Sequence, residues 1–130
     1  MNLPFPKSMA AVWRDRSGAG AVEVALVLPA VLMAIVGGIN LCLVSYTLAG
    51  LHYATEAAAR CASLDTTTCG SSAGVDAYAK TRFVNASGQP ATFTLANGSC
   101  GSAVTGALTY KLNIGVKMLD LPLQAQSCAP

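Results

Sequence analysis

The sequence predicts an α+β protein in two parts. A long N-terminal transmembrane and stalk helix comes first, followed by a small disulfide-stapled head with a short helix on an antiparallel sheet of about three strands. Three observations carry this expectation. Charge is scarce: eight basic and six acidic residues make 11% of the 130, against about 25% in an ordinary soluble domain. None of them falls in the 32 positions between Glu23 and Glu56. Apolar and polar residues alternate from Ala107 to Met118, and four of the five cysteines stand beyond position 60. A net charge of +2 without blocks of like charge excludes nucleic-acid binding through phosphate neutralisation. An apolar share of 53% excludes the disordered class, so a membrane or assembly protein remains.

The charge-free stretch defines the first part. A bilayer-spanning helix needs roughly 20 apolar residues, and Val24 to Tyr46 supplies them. A cleaved secretory signal has an apolar core of only about 7–15 residues before a small-residue site. Thr47-Leu48-Ala49 imitates such a site, but the core ahead of it is longer, and a single membrane span fits better. Lys7, Arg14 and Arg16 precede the span and place the N-terminus in the cytoplasm, with about 80 residues on the far side. Tyr46 and Tyr53 mark the outer interface. The alanine-rich, proline-free run from Leu48 to Ala62 extends the helix towards Cys61. From Gly20 to Ala62 that makes about 65 Å. Pro29 removes one backbone donor and is expected to kink the span, and Gly37-Gly38 offers room for a close helix neighbour.

The second part turns after Leu64-Asp65-Thr66-Thr67-Thr68. Ser71 or Ser72 can cap a helix running to about Val84, with Val75, Tyr78, Ala79 and Phe83 on one face. Asn85 to Pro90 ends it. Phe93 and Leu95 alternate with threonines up to a turn signal at Asn97-Gly98. Leu108, Tyr110, Leu112, Ile114, Val116 and Met118 then share one face of the clearest strand. A turn at Asp120-Leu121-Pro122 leads to a last strand reaching Cys128. Cys42 lies in the span as a small apolar filler. Cys61, Cys69, Cys100 and Cys128 lie in the exported part, where two disulfides are expected. Of the three possible pairings, Cys61–Cys69 with Cys100–Cys128 closes each bridge within one local unit. A head this small benefits from such staples.

No catalytic centre emerges. There is no C-x-x-C pair and only one histidine, His52, so no metal site is expected. Gly18-Ala19-Gly20 lacks the strand context of a phosphate loop. Cys61 and His52 stand nine residues apart, more than two helical turns, too far to form a nucleophile pair. Asn85-Ala86-Ser87 and Asn97-Gly98-Ser99 match the glycosylation pattern as asparagine-rich turns do by chance. No cofactor, nucleic acid or small-molecule substrate is expected.

Glu23 is the most informative residue. A carboxylate at depth in a bilayer costs on the order of 2.5–3.5 kcal/mol on insertion scales. At the interface it stays hydrated and favours the helix N-terminus. The run from Arg14 through Gly18 to Glu23 resembles a class III prepilin signal, which a membrane aspartyl prepilin peptidase cuts after glycine, leaving glutamate as the fifth mature residue. That resemblance implies cleavage between Gly18 and Ala19, ahead of the apolar stretch, so that the span stays on the mature protein. Gly20-Ala21-Val22-Glu23-Val24-Ala25-Leu26-Val27-Leu28-Pro29 is similar to the opening of TadE-like proteins, the minor pseudopilins of tight-adherence (Flp) pilus systems. Ala57 to Ala62, Thr66 to Cys69 and Gln126-Ser127-Cys128 also look like that family, so the resemblance covers most of the chain from Arg14 onward. Val24 departs from the aromatic residue that usually follows the glutamate. The major pilin of these systems is much shorter, and a larger relative would carry an adhesive domain, so the length suits a minor subunit.

The resemblance implies a leader at 1–18, a membrane and stalk helix at 19–62 and a periplasmic head at 63–130, held in the inner membrane or incorporated in the pilus. It implies a non-enzymatic assembly subunit whose partners are the peptidase, other pilins and the inner-membrane platform. It also implies that Glu23 neutralises the N-terminal amine of a neighbour, since an unpaired charge among packed apolar helices is costly and a paired one is tolerated. An uncleaved membrane-anchored exported binding domain, and a secreted protein released after Ala49, are the competing readings.

Overall fold

The computed structural model describes residues 18–113 and 117–130. They divide into two compact units, one ending at Gly37 and one running from Gly38 to Pro130. Helix α1 (Ala19–Leu64) contributes to both. In the first unit every described side chain from Gly20 to Gly37 is exposed, although most are apolar. A core helix of a soluble protein would bury one face, and this stretch buries none among the described residues. The helix continues through Pro29, whose missing N–H leaves the Ala25 carbonyl without its intrahelical donor.

In the second unit α1 changes character. Asn40, Val44, Thr47, Leu51, Ala54, Thr55, Ala58 and Ala62 are buried or half-buried, at the three-and-four spacing of one helical face. Small residues dominate its C-terminal half, so a sheet can lie close. The two buried threonines stay satisfied by back-bonding: Thr47 Oγ1 donates to the Leu43 carbonyl at 2.9 Å, and Thr55 Oγ1 donates to those of Leu51 and His52 at 2.9 and 2.8 Å.

After Leu64 come a one-turn helix α2 (Thr66–Cys69) and helix α3 (Ser72–Arg82). The sequence suggested only a turn for the former. Asp65 caps it, accepting from the amides of Thr67 at 3.1 Å and Thr68 at 3.2 Å and from the Thr67 hydroxyl. Those bonds, the Thr67 hydroxyl first, hold the Asp65 carboxyl down at about 2. Ser71 caps α3 through the Gly74 amide at 3.2 Å, and the expected face is turned inward, with Val75 and Ala79 buried and Tyr78 and Phe83 half-buried. The chain leaving α3 passes so near α1 that a side chain at Gly50 would stand 2.4 Å from the Val84 carbonyl oxygen. Phe83 meets Phe93 edge to face, ring centres 6.0 Å apart.

Strands β1 (Thr92–Gly98), β2 (Gly101–Asn113) and β3 (Met118–Ala129) form one antiparallel sheet in that order. Phe93, Gly106 and Ala125 stand in one cross-strand row, and Leu108 pairs with Leu123 in the next. These rows face the core with Val104 and Tyr110. Threonines and glutamines occupy the other face.

Three sequence expectations are corrected here. The first reversal lies at Ser99-Cys100, two residues beyond Asn97-Gly98, because Gly101 takes the positive φ of 109° and Cys100 is tied to Cys128. The alternation over 107–118 is not one strand: β2 ends at Asn113 and Met118 already belongs to β3, paired with Asn113. Ile114, Gly115 and Val116 lie outside the described residues. Asp120-Leu121-Pro122 is not a turn but the interior of β3. Pro122 faces Thr109 on an edge strand at a position whose amide points away from β2, so its missing donor breaks no ladder bond.

Candidate functional site

The sequence-singled residues fall in two separate places. Gly18, Ala19, Glu23 and Pro29 lie at the start of α1, and the four paired cysteines lie in the unit from Gly38 to Pro130. At the first place Gly18 is exposed and stands directly before α1. The peptide joining it to Ala19 belongs to the first turn, where the amides have no intrahelical acceptor and the chain is held by the fewest bonds. Glu23 follows Ala19 by four residues, one turn and about 6 Å of rise. It stands on the second turn of α1. Its carboxylate heads a shallow apolar groove on the helix surface lined by Val24, Val27, Leu28 and Val31, about 380 Å³ in volume. Leu26 and Met33, at 76% and 77% exposure, show how fully the apolar side chains project.

This arrangement offers an accessible peptide at a helix start, one acid a turn later and an apolar cylinder whose described side chains are exposed from Gly20 to Gly37. It is suited to recognition and lateral packing. Gly37 and Gly38 have open space where side chains would be, so none of the described residues uses their close approach.

At the second place the structure joins Cys61 to Cys69 and Cys100 to Cys128, with Cα–Cα distances of 5.7 and 6.3 Å. The first ties the end of α1 to α2, and the second ties the β1–β2 turn to the end of β3. Cys61 is therefore no nucleophile for His52, which is exposed on α1. Cys42 is a free, exposed thiol on α1. Among the described residues no group of three His, Cys, Asp or Glu side chains is placed to hold a metal ion.

Sequence reasoning missed the junction of α3 with β1. Asp76 accepts from the Phe93 amide at 3.0 Å and binds Lys80 Nζ at 2.6 Å, while Ser72 Oγ accepts from the Leu95 amide at 3.2 Å. Lys80 foremost, then the Phe93 amide, hold the Asp76 carboxyl below its usual range. Two side chains one helical turn apart, about 6 Å, thus match two amides two residues apart on a strand, about 6.7 Å. They close the outer edge of β1.

The helix start carries a family likeness. Residues 18–60 match the family model of TadE-like proteins. Over that segment the chain is TadE-like. The TadE-like segment takes in Gly18, Ala19, Glu23 and Pro29 and ends before Cys61, so the expected resemblance at Thr66 to Cys69 and Gln126 to Cys128 lies outside it. The match associates the chain with the tight-adherence (Tad) pilus systems, whose TadE-like members are structural rather than enzymatic. Neither the curated proteins nor the solved structures provide a match. One described helix, Gly20–Leu64, is long and apolar enough to cross a membrane, which is compatible with single-pass anchoring.

Proposed function

We propose that this chain is a minor pseudopilin of a tight-adherence pilus, held in the inner membrane by α1, processed by a prepilin peptidase between Gly18 and Ala19, and packed laterally through its apolar helix. The observation that carries the proposal is the TadE-like segment beginning at Gly18, with Glu23 one turn into a helix whose apolar side chains are exposed from Gly20 to Gly37. Hydrolysis at the Gly18–Ala19 peptide opens the chain where α1 has least to lose, since the Gly18 carbonyl is the acceptor of one helical bond at most. It removes Lys7, Arg14, Asp15 and Arg16, leaving five basic and five acidic residues and no net charge. It also creates an α-amino group at Ala19, one turn from Glu23. In a bundle of such helices the acid of one subunit neutralises the amine of its neighbour and fixes the axial register, because a charge left unpaired among apolar helices carries its whole desolvation cost. The basic flank keeps the N-terminus cytoplasmic and the head on the periplasmic side. Pro29, which frees the Ala25 carbonyl, bends the helix where neighbours pack.

N-terminal sequencing of the protein recovered from its own membranes tests this. Ala19 as first residue is the expected result. Met1 would support the uncleaved anchored domain, and a residue near Gly50 the secreted form; either overturns the proposal.

A further inference from the structure

The β2–β3 hairpin lies along α1 in a defined sense. A side chain at Gly106 would collide with Leu51 and Thr55. The far end of β3, Ser127 to Pro130, shares a shallow pocket with Glu56, Arg60, Ser63 and Leu64. Moving along β2 from Gly106 therefore means moving back down α1. From Gly106 to Leu112 the strand covers about 20 Å at roughly 3.3 Å per residue. That equals about 13 residues of helix, so the open end of the hairpin comes level with about residues 39–42 of α1. Burial agrees: Asn40 is the first half-buried position of α1, and Val44, Leu112 and Leu121 pack against the same core.

At that level α1 is apolar, exposes Ile39 and Leu41, and lies within the expected span from Val24 to Tyr46. The hairpin end is apolar as well, with Met118 63% and Leu119 48% exposed and Leu112 half-buried. Lys111 and Lys117 flank it, and Asp120 stands opposite Lys111 in the ladder. Leu119 pairs with Leu112 on the core-facing side and Met118 stands on the other side of the same hairpin end, and apolar side chains exposed on both faces and rimmed by cations mark a contact surface.

We propose that this hairpin end is a second membrane contact: Leu112, Met118 and Leu119 seat in the headgroup–acyl boundary of the leaflet that α1 leaves, and Lys111 and Lys117 reach anionic lipid phosphates. The inference rests on α1 being the membrane anchor. A lipid surface, rather than another protein, follows from the shared level of the hairpin end with the charge-free helix and from the two cations beside it. The depth follows from the backbone. The ladder is complete as far as Asn113 and Met118, but among the described residues β3 pairs only with β2. Its outer amides therefore need headgroups or water, which holds the hairpin at the boundary and out of the hydrocarbon. The lysine stems can lie along the apolar surface with their ammonium groups at the phosphates.

Tryptophan quenching in vesicles tests this with the full chain. Trp13, the only tryptophan, is first replaced (W13F), and single reporters are then placed by L119W, by L41W on α1 and by Q126W further up β3. The vesicles contain phosphatidylcholine and anionic phosphatidylglycerol with or without brominated acyl chains. Bromination is expected to cut the emission of L119W and L41W to about half or less and to leave Q126W unchanged. Adding K111Q and K117Q should weaken the L119W effect in the anionic vesicles. Quenching of L41W without L119W overturns the hairpin contact and leaves the anchor standing. No quenching of L41W overturns the anchor reading and this one with it. Equal quenching of L119W and Q126W overturns the contact as specific to the hairpin end. A blue-shifted L119W that bromine does not quench means that protein covers the site, which also overturns it. Formation of both disulfides certifies the fold, and M118W replaces L119W if they do not form.

Discussion

Alanine at Gly106 strikes the point where the sheet touches α1. A Cβ there would stand 2.7 Å from Thr55 Cγ2, 2.8 Å from Phe93 Cε1 and 3.0 Å from Leu51 Cδ1. Carbon atoms rest at about 3.5–4.0 Å, so three overlaps must be relieved together. None of the partners yields easily. Leu51 and Thr55 are fully buried and Phe93 nearly so. The Thr55 hydroxyl is held by the Leu51 and His52 carbonyls, which pins its rotamer. Overpacking a core costs about 1–3 kcal/mol, and relief of the glycine penalty within a strand returns about 0.5–1 kcal/mol. The net loss reaches about 2.5 kcal/mol, a fall in Tm of up to about 20 °C for a unit of this size. Thermal unfolding of the full chain in detergent, followed by near-ultraviolet circular dichroism, measures it. T109V, on the exposed face of the same strand, should stay within about 0.5 kcal/mol of the parent. If G106A melts at or above the parent, the close approach of sheet and helix is not what limits the packing, and the reasoning is wrong.

Four further outcomes are expected. On the chain-entropy treatment, removing Cys100–Cys128, which spans 28 positions, costs about 3.6 kcal/mol, and removing Cys61–Cys69, which spans 8, costs about 2.5 kcal/mol; denaturant midpoints of C100S/C128S and C61S/C69S should rank in that order. D76A strips the acceptor from the Phe93 amide and the partner from Lys80 and should cost about 1–2 kcal/mol in the same titration. Asp65 and Asp76 both have depressed carboxyls, so their contribution is present above the ordinary value of 3.8 and is lost as pH falls below it, for Asp65 towards about 2; acid unfolding of D65N/D76N should be flatter below 3.8, and an unchanged profile would remove the linkage. E23Q should accumulate in the membrane at parental levels yet fail to enter pili, and pili with normal E23Q content would end the register role.

The features set by local rules were legible. A 32-position charge gap, a 3.6-residue stripe and four cysteines beyond position 60 lead directly to α1, α3 and the two bridges. The errors come from places where period or composition stays silent. Leu108, Tyr110, Leu112 and Met118 keep an unbroken alternation across the reversal between Asn113 and Met118, so the period of two could not show that the chain had turned back. Pro122 reads as a breaker only if its amide is assumed to face a neighbour. Four residues of α2 are held by one aspartate and one disulfide, too little for any periodic signal. The matching of Ser72 and Asp76 to the amides of Leu95 and Phe93 is a property of two elements placed side by side, and neither alone carries it. At the helix start Gly18, Ala19 and Glu23 were legible as a motif.

The charge gap does not account for all of the chain's neutrality. From Glu56 to Pro130 only nine of 75 residues are charged, about 12%, half of what a soluble domain carries. The exposed face of the sheet shows where the charge went: Thr92, Thr94, Thr105, Thr109, Gln124 and Gln126 stand where lysine and glutamate usually keep a free domain soluble. Hydroxyls and amides shed water far more cheaply than ions and can bond to a neighbour in either sense. A head of this composition gains little from remaining alone in solution and loses little when covered. A freely exported binding domain would be selected for the opposite balance. The head and the helix therefore argue for the same habit by different chemistry, the helix through apolar surface that requires neighbours and the head through polar surface that tolerates them.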